Sequence, residues 1–166
     1  MSKLPPLKIF KNEKECRNYY ENVYCTNPVK TFDNIYVHFY PEAFDDAFFE
    51  SKNHIARDKS IFSFKRAEKI DYIKYTLENV KDNIYFGLDR DRKKPRKDRR
   101  VAILTPENYV VIITVLSDTK AKFITAYPID GFKTALLILT SEKWTKKDHW
   151  FNWFSSRNLY GSPTYK

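Results

Sequence analysis

The spacing of apolar and polar positions changes several times along this chain. Ile35, Val37 and Phe39 alternate with Tyr36, His38 and Tyr40, the two-residue period of a half-buried strand. Pro41 stops that strand and opens a predicted helix through Phe44, Ala47 and Phe48. From Ser63, a residue suited to cap a helix, Ala67, Ile70, Ile73, Leu77 and Val80 recur every three or four residues and build one apolar helical face to about residue 80. β-Branched and aromatic runs then predict strands at 84–88, 101–104, 109–116 and 121–127, the last two joined as a hairpin by Ser117, Asp118, Thr119 and Lys120. A short helix is expected over 11–24, closed by Thr26, Asn27 and Pro28, behind a loose arm at 1–10 where Pro5 and Pro6 block early helix. Past residue 130 the pattern predicts a further strand at 134–139 and an aromatic helix from Ser141 onward carrying Trp144, Trp150, Phe151, Trp153 and Phe154. Helices first and a meander second predict an α+β fold, with N-terminal helices packed on a four- to five-stranded antiparallel sheet and an aromatic-rich C-terminal extension.

Composition narrows the class. A length of 166 residues with 42% hydrophobic and 17% aromatic content supports a single domain with a sizeable core and excludes wholesale disorder. The expected division is an arm and helix at 1–33, a core at 34–130 and an extension at 131–166 packing on that core. Thirty Lys and Arg against twenty-one Asp and Glu give a net charge of +9. That excess favours polyanions: nucleic acid first, an acidic membrane surface or acidic partner second. With glycine only at Gly87, Gly131 and Gly161, neither a dinucleotide-binding nor a P-loop signature can be built. Cys16 and Cys25 are not spaced as C-x-x-C and have no histidine between them, so no zinc site is expected; they read as reduced structural thiols, with a disulfide as the alternative. The N-terminal stretch lacks a signal-peptide core, and no apolar run approaches the roughly 20 residues that span a bilayer. A cytoplasmic protein with no membrane partner is expected.

Residues 89–100 concentrate the charge: eight basic and three acidic residues supply +5 of the net +9. Between two strands this reads as a mobile basic loop, with Arg92, Lys93, Lys94, Arg96, Lys97, Arg99 and Arg100 as candidate nucleic-acid contacts; the alternative is a solvated loop with no partner. Arg66 falls within the apolar arc of the helix, so it either pairs with an acid, snorkels to the rim or opens into an anion-binding cleft. His54 lies in a polar run with Arg57 and Lys59, where an imidazole could move a proton and two cations could hold a phosphate. His38 and His149 have weaker surroundings. Phe123, Thr125 and Tyr127 are expected to share one face of a strand, where a hydroxyl and a phenol could bind a phosphate or stack a base. Asp45 and Asp46 diverge by about 100° on a helix and cannot easily share a metal.

Taken in order, Asn53-His54-Ile55, the Phe62–Ile73 stretch with Arg66-Ala67-Glu68-Lys69-Ile70, and the Phe123-Ile124-Thr125-Ala126-Tyr127 strand resemble the phage- and mobile-element-associated branch of the barnase/EndoU/colicin/RelE (BECR) ribonuclease superfamily. The resemblance covers residues 34–130. It implies N-terminal helices on a four-stranded antiparallel sheet and metal-independent, cofactor-free cleavage of RNA (tRNA or mRNA) to a 2′,3′-cyclic phosphate by a toxin or defence effector. It also implies a cognate inhibitor or immunity protein as a partner. Within it His54 would be the general acid or base, Lys59 and Arg66 would hold the scissile phosphate, and the Thr125 hydroxyl would bind it. The chain departs from that pattern in lacking a second well-placed histidine, unless His38 approaches from its strand. Two other classes stay open: a non-catalytic RNA- or DNA-binding protein using residues 89–100, and an interaction protein for an acidic partner.

Overall fold

In the computed structural model, which describes residues 3–52, 59–89 and 94–146, the Asn12 side chain accepts from the Glu15 N–H at 3.0 Å and starts α1 (Glu13–Tyr19). A π-helical turn, Tyr20–Tyr24, continues it, with the Cys25 N–H reaching back to the Tyr20 carbonyl at 3.1 Å. Tyr20 and Tyr24 both fall inside the protein. The Tyr20 ring lies 5.6–6.5 Å from those of Phe39, Phe44, Phe48 and Phe123. Burial in so apolar a setting requires each phenol to find an acceptor. Tyr20 donates to the Tyr40 carbonyl at 2.7 Å and Tyr24 to the Ile70 carbonyl at 2.8 Å.

The strands β1 (Val29–Lys30), β2 (Tyr36–His38), β5 (Ile84–Asp89), β6 (Lys94–Leu104), β7 (Tyr109–Val115) and β8 (Lys120–Pro128) form one sheet, in the order β1-β2-β8-β7-β6-β5. A separate two-stranded ribbon pairs β3 (Phe49–Glu50) with β4 (Ile61–Phe62). One sheet face carries the main core, where α1, the π-turn, α2 (Phe44–Phe48) and α4 (Ile70–Asn79) converge on Val37, Val111, Ile113 and Phe123. The opposite face carries a smaller cluster of Tyr85, Ala102, Leu104 and Val110 beneath Ile138 of α5 (Phe132–Leu139). Among the described residues no helix is long and apolar enough to cross a membrane.

The fold is mixed α and β, with five differences from the sequence expectation in its elements. The sheet has six strands and is mixed: β2 runs parallel to β8, tied by the Tyr36 N–H to the Thr119 carbonyl at 2.8 Å. Nothing local in a three-residue strand specifies which edge it joins. The helix after Ser63 breaks at Glu68-Lys69 into α3 (Phe64–Ala67) and α4. Residues 134–139 are helical, because Ala135, Leu136 and Leu137 favour helix and a short continuous apolar run has no period to distinguish the two. Trp144 is not on a helix: its N–H donates to the Ile84 carbonyl at 2.8 Å, Lys143 bridges Tyr85, and the indole is buried in the main core. This segment covers the open edge of β5. Trp150, Phe151, Trp153 and Phe154 lie outside the described residues. The N-terminal arm is anchored as well, with Phe10 buried and the Lys8 N–H donating to the Glu68 carbonyl at 2.8 Å.

Both cysteines are free. Burial pushes the Cys16 thiol from its ordinary 9.0 up to about 12, and burial raises Cys25 too. The phenols of Tyr20 and Tyr24 are also pushed up by burial. A group raised on folding favours the folded state fully below its unfolded pKa and loses that contribution as pH climbs through the folded one. Thermal stability is therefore expected to hold up to about pH 9 and fall between pH 9 and about 12. Replacing both cysteines by alanine should move the onset towards the phenol value of 10.0, and melting curves with an unmoved onset would count against this origin.

Candidate functional site

Two places in the fold gather the charged residues singled out above. The first surrounds Arg66. The Ser63 side chain accepts from the Arg66 N–H at 3.2 Å, capping α3 and fixing the direction in which Arg66 leaves the backbone. The side chain is only 15% exposed, its Nε lies 3.8 Å from Glu50 Oε1, and its guanidinium carbon sits 5.2 Å from the centre of the Tyr127 ring. Of the three options for an arginine in an apolar arc, the structure uses pairing with an acid, supported by an aromatic face. Glu50 is half exposed while Arg66 is mostly buried, so the carboxylate side of the pair opens to solvent. The neighbouring Lys65 pairs with Asp130 at 2.9 Å, which raises the lysine pKa.

Glu50 belongs to the β3–β4 ribbon, and the segment joining those strands carries His54 and Arg57, which lie outside the described residues. At its far stem Lys59 adopts a left-handed backbone, φ 49°. Its N–H donates to Ser51 Oγ at 3.3 Å and its ammonium to the Phe49 carbonyl at 3.4 Å. Lys59 therefore stands on the ribbon whose Glu50 meets Arg66. Thr125 is placed differently. It is buried, and its hydroxyl donates at 2.9 Å to the Asp46 carbonyl of α2, beyond the point where β2 stops covering β8. That single hydroxyl proton ties the strand to the helix. Phe123 belongs to the main core and Tyr127 packs on the smaller cluster, because Ile124 is an extra residue between the Ile113↔Phe123 and Ile112↔Thr125 pairs. The expectation that all three share a face fails at that bulge.

The second place is the basic segment. Read as a loop, it is instead mostly strand: Lys94–Arg100 belongs to β6, where Gly87 faces Arg96, Leu88 faces Pro95 and Asp89 faces Lys94. Strand β7 pairs with β6 only at Arg100–Leu104, so this outer part of the β5–β6 hairpin is a two-stranded arm beyond the sheet. Pro95, which has no N–H to donate, is tolerated because β6 has one neighbour here. Arg92 and Lys93 lie outside the described residues; Lys94, Arg96, Lys97 and Arg99 are placed by their backbone. Between the pairs Phe86↔Val101 and Gly87↔Arg96, residues 97–100 form an irregular bulge. There the Arg100 side chain crosses Gly87 so closely that a Cβ on residue 87 would lie 2.5 Å from Arg100 Cγ. Sequence reasoning missed both Glu50 and Gly87. Only the scarcity of glycine hinted that Gly87, inside a strand, marks a close approach.

Gly87→Ala is expected to destabilise the fold by about 1–3 kcal/mol through overpacking against Arg100. Adding Arg100→Ala should recover most of that loss in a denaturant titration. An equal loss in the single and double variants would mean that the contact is not the cause.

No protein-family model, curated protein or solved structure matches this chain, so its functional reading rests on its own residues.

Proposed function

We propose that this protein binds nucleic acid, with RNA as its polymer, through the basic arm of the β5–β6 hairpin. One observation carries this: five of the seven residues Lys94–Arg100 are basic, and they stand on a strand of a two-stranded arm that extends past the sheet. A paired ribbon loses less conformational freedom on binding than a loop of the same charge. Its cations displace condensed counterions from phosphates, so affinity falls with salt in proportion to the contacts made. Replacing Arg96, Lys97 and Arg99 together by glutamine is expected to weaken RNA binding and to flatten log K against log salt by about 2 on a single strand. Fluorescence anisotropy across a salt series reads this directly. An unchanged affinity and slope would remove the arm from the interface.

A catalytic form of this function is favoured by the Arg66 neighbourhood. The β3–β4 ribbon roots the segment bearing His54 and Arg57 next to Lys59, and its Glu50 meets Arg66. As a metal-independent endoribonuclease, the protein would use His54 to take the proton from an RNA 2′-OH. The 2′ oxygen would then bond to phosphorus as the bond to the 5′ oxygen breaks, and the leaving 5′ oxygen would gain a proton. Arg66, released from Glu50, and Lys59 would stabilise the charge on the phosphate oxygens. Thr125, whose hydroxyl proton is held by Asp46, would position β8 and accept rather than donate. A toxin or defence effector of this kind would call for a cognate inhibitor. The expected outcome with tRNA or total RNA in EDTA is discrete fragments ending in 2′,3′-cyclic phosphate, lost with His54→Ala while binding persists. Intact RNA that is nevertheless bound would sink the catalytic form and leave the binding one.

A further inference from the structure

We infer that the half of the outer sheet face left uncovered by the described residues is a platform for single-stranded RNA, with unpaired bases stacked on Tyr36 and Tyr40; this rests on the nucleic-acid function proposed above. Residues directly opposite each other on paired strands share a face. The registers Lys30↔Tyr36↔Lys120 and His38↔Lys122↔Thr114↔Arg100 therefore draw two rows across one side of β1, β2, β8, β7 and β6. The intervening row, Val29↔Val37↔Ala121↔Val115, faces the other way and is wholly buried. Further along the outer side, Tyr85, Ala102 and Val110 are covered by Ile138 of α5. That helix stops short of the two rows, and Lys30, Lys120 and Lys122 are exposed there.

Three properties of this face fit a single strand. Tyr36 and Tyr40 are 43% and 37% exposed, large rings that a sheet ordinarily turns inward or covers. They stand about 13 Å apart along an extended backbone, room for the bases of successive nucleotides between them. The charge is of one sign: no acidic residue stands at any position of the two rows. None of Lys30, Lys120 and Lys122 is ion-paired among the described residues, and Lys122 Nζ lies 5.5 Å over the Tyr40 ring. Exposed aromatics set among lysines present a base-stacking surface beside phosphate-neutralising charge, which a duplex with its bases already stacked cannot use. The rows are continuous with the arm, because Arg100 closes the second row and also roots the basic strand beyond Gly87.

The test compares the full chain with Tyr36→Ala/Tyr40→Ala and Tyr36→Phe/Tyr40→Phe by fluorescence anisotropy. The probes are a labelled uridine oligonucleotide, the matching deoxythymidine strand and a blunt RNA duplex of the same length. The alanine pair should bind the uridine strand about 10- to 100-fold more weakly while keeping its duplex affinity and melting temperature. The phenylalanine pair, which keeps the rings, should stay near wild type. A deoxythymidine strand bound as tightly as the uridine one would overturn RNA as the ligand. Equal losses on strand and duplex, or no loss on either, would overturn the platform. If the alanine pair binds like wild type while the glutamine variant of the arm loses affinity, the platform fails and the arm stands. Wild type with no affinity for any probe would remove both.

Discussion

The pair of phenols in the π-turn, Tyr20 and Tyr24, is the joint on which the rest of this structure turns. Tyr20 brings α1 against Phe44 and Phe48 of α2, against Phe39 after β2, and against Phe123 of β8. Its hydroxyl holds the backbone carbonyl of Tyr40, and that of Tyr24 holds the carbonyl at the start of α4. In an interior with no water to hydrogen-bond these groups, such bonds define where each element must sit. The parallel seating of β2 on β8 follows, because Phe39 stacks on Phe123 at 4.7 Å just past the paired residues.

That seating has a consequence for charge. A strand with two-residue alternation necessarily turns one set of side chains inward and the other out. With β2 added beside β8, Val37 completes the buried row while Tyr36 and His38 line up with Lys120 and Lys122 on the outside. The cations of β1 and β8, far apart in sequence, come onto one surface on either side of β2, and Arg100 continues it into the arm of the β5–β6 hairpin. The net positive charge of the chain is thus arranged rather than spread, which is what attraction to a phosphate backbone requires.

The Arg66 neighbourhood obeys a different constraint. A mostly buried guanidinium must be compensated, and Glu50 and the Tyr127 ring contribute to this. The partial exposure of Glu50 leaves the carboxylate side of the pair open to solvent, the side from which another anion can approach the guanidinium. Thr125 shows the opposite case, a hydroxyl committed to closing the edge of β8 against α2.

Much of this was legible from the residues alone. Local periods located α1, the strand around Val37, the capped helix after Ser63 and the four strands of the meander, because hydrophobic spacing is a property of neighbouring residues. The charge of segment 89–100 and the odd position of Arg66 were equally plain. Where the signal was a short apolar run, at 134–139, strand and helix could not be told apart. The basic segment looked like a loop because charge and proline suppress strand propensity, whereas pairing with Gly87–Asp89 makes it one. What only the tertiary structure decided was every relation between distant segments: β2 beside β8, Glu50 against Arg66, the bulge that separates Thr125 from Phe123, and the alignment of Tyr36 and His38 with Lys120 and Lys122. The sequence by itself determined the alternation of side chains within an unbroken strand such as β2; which strands became neighbours, and where a bulge reversed the alternation in β8, was settled by aromatic packing and backbone pairing between residues that no local pattern connects.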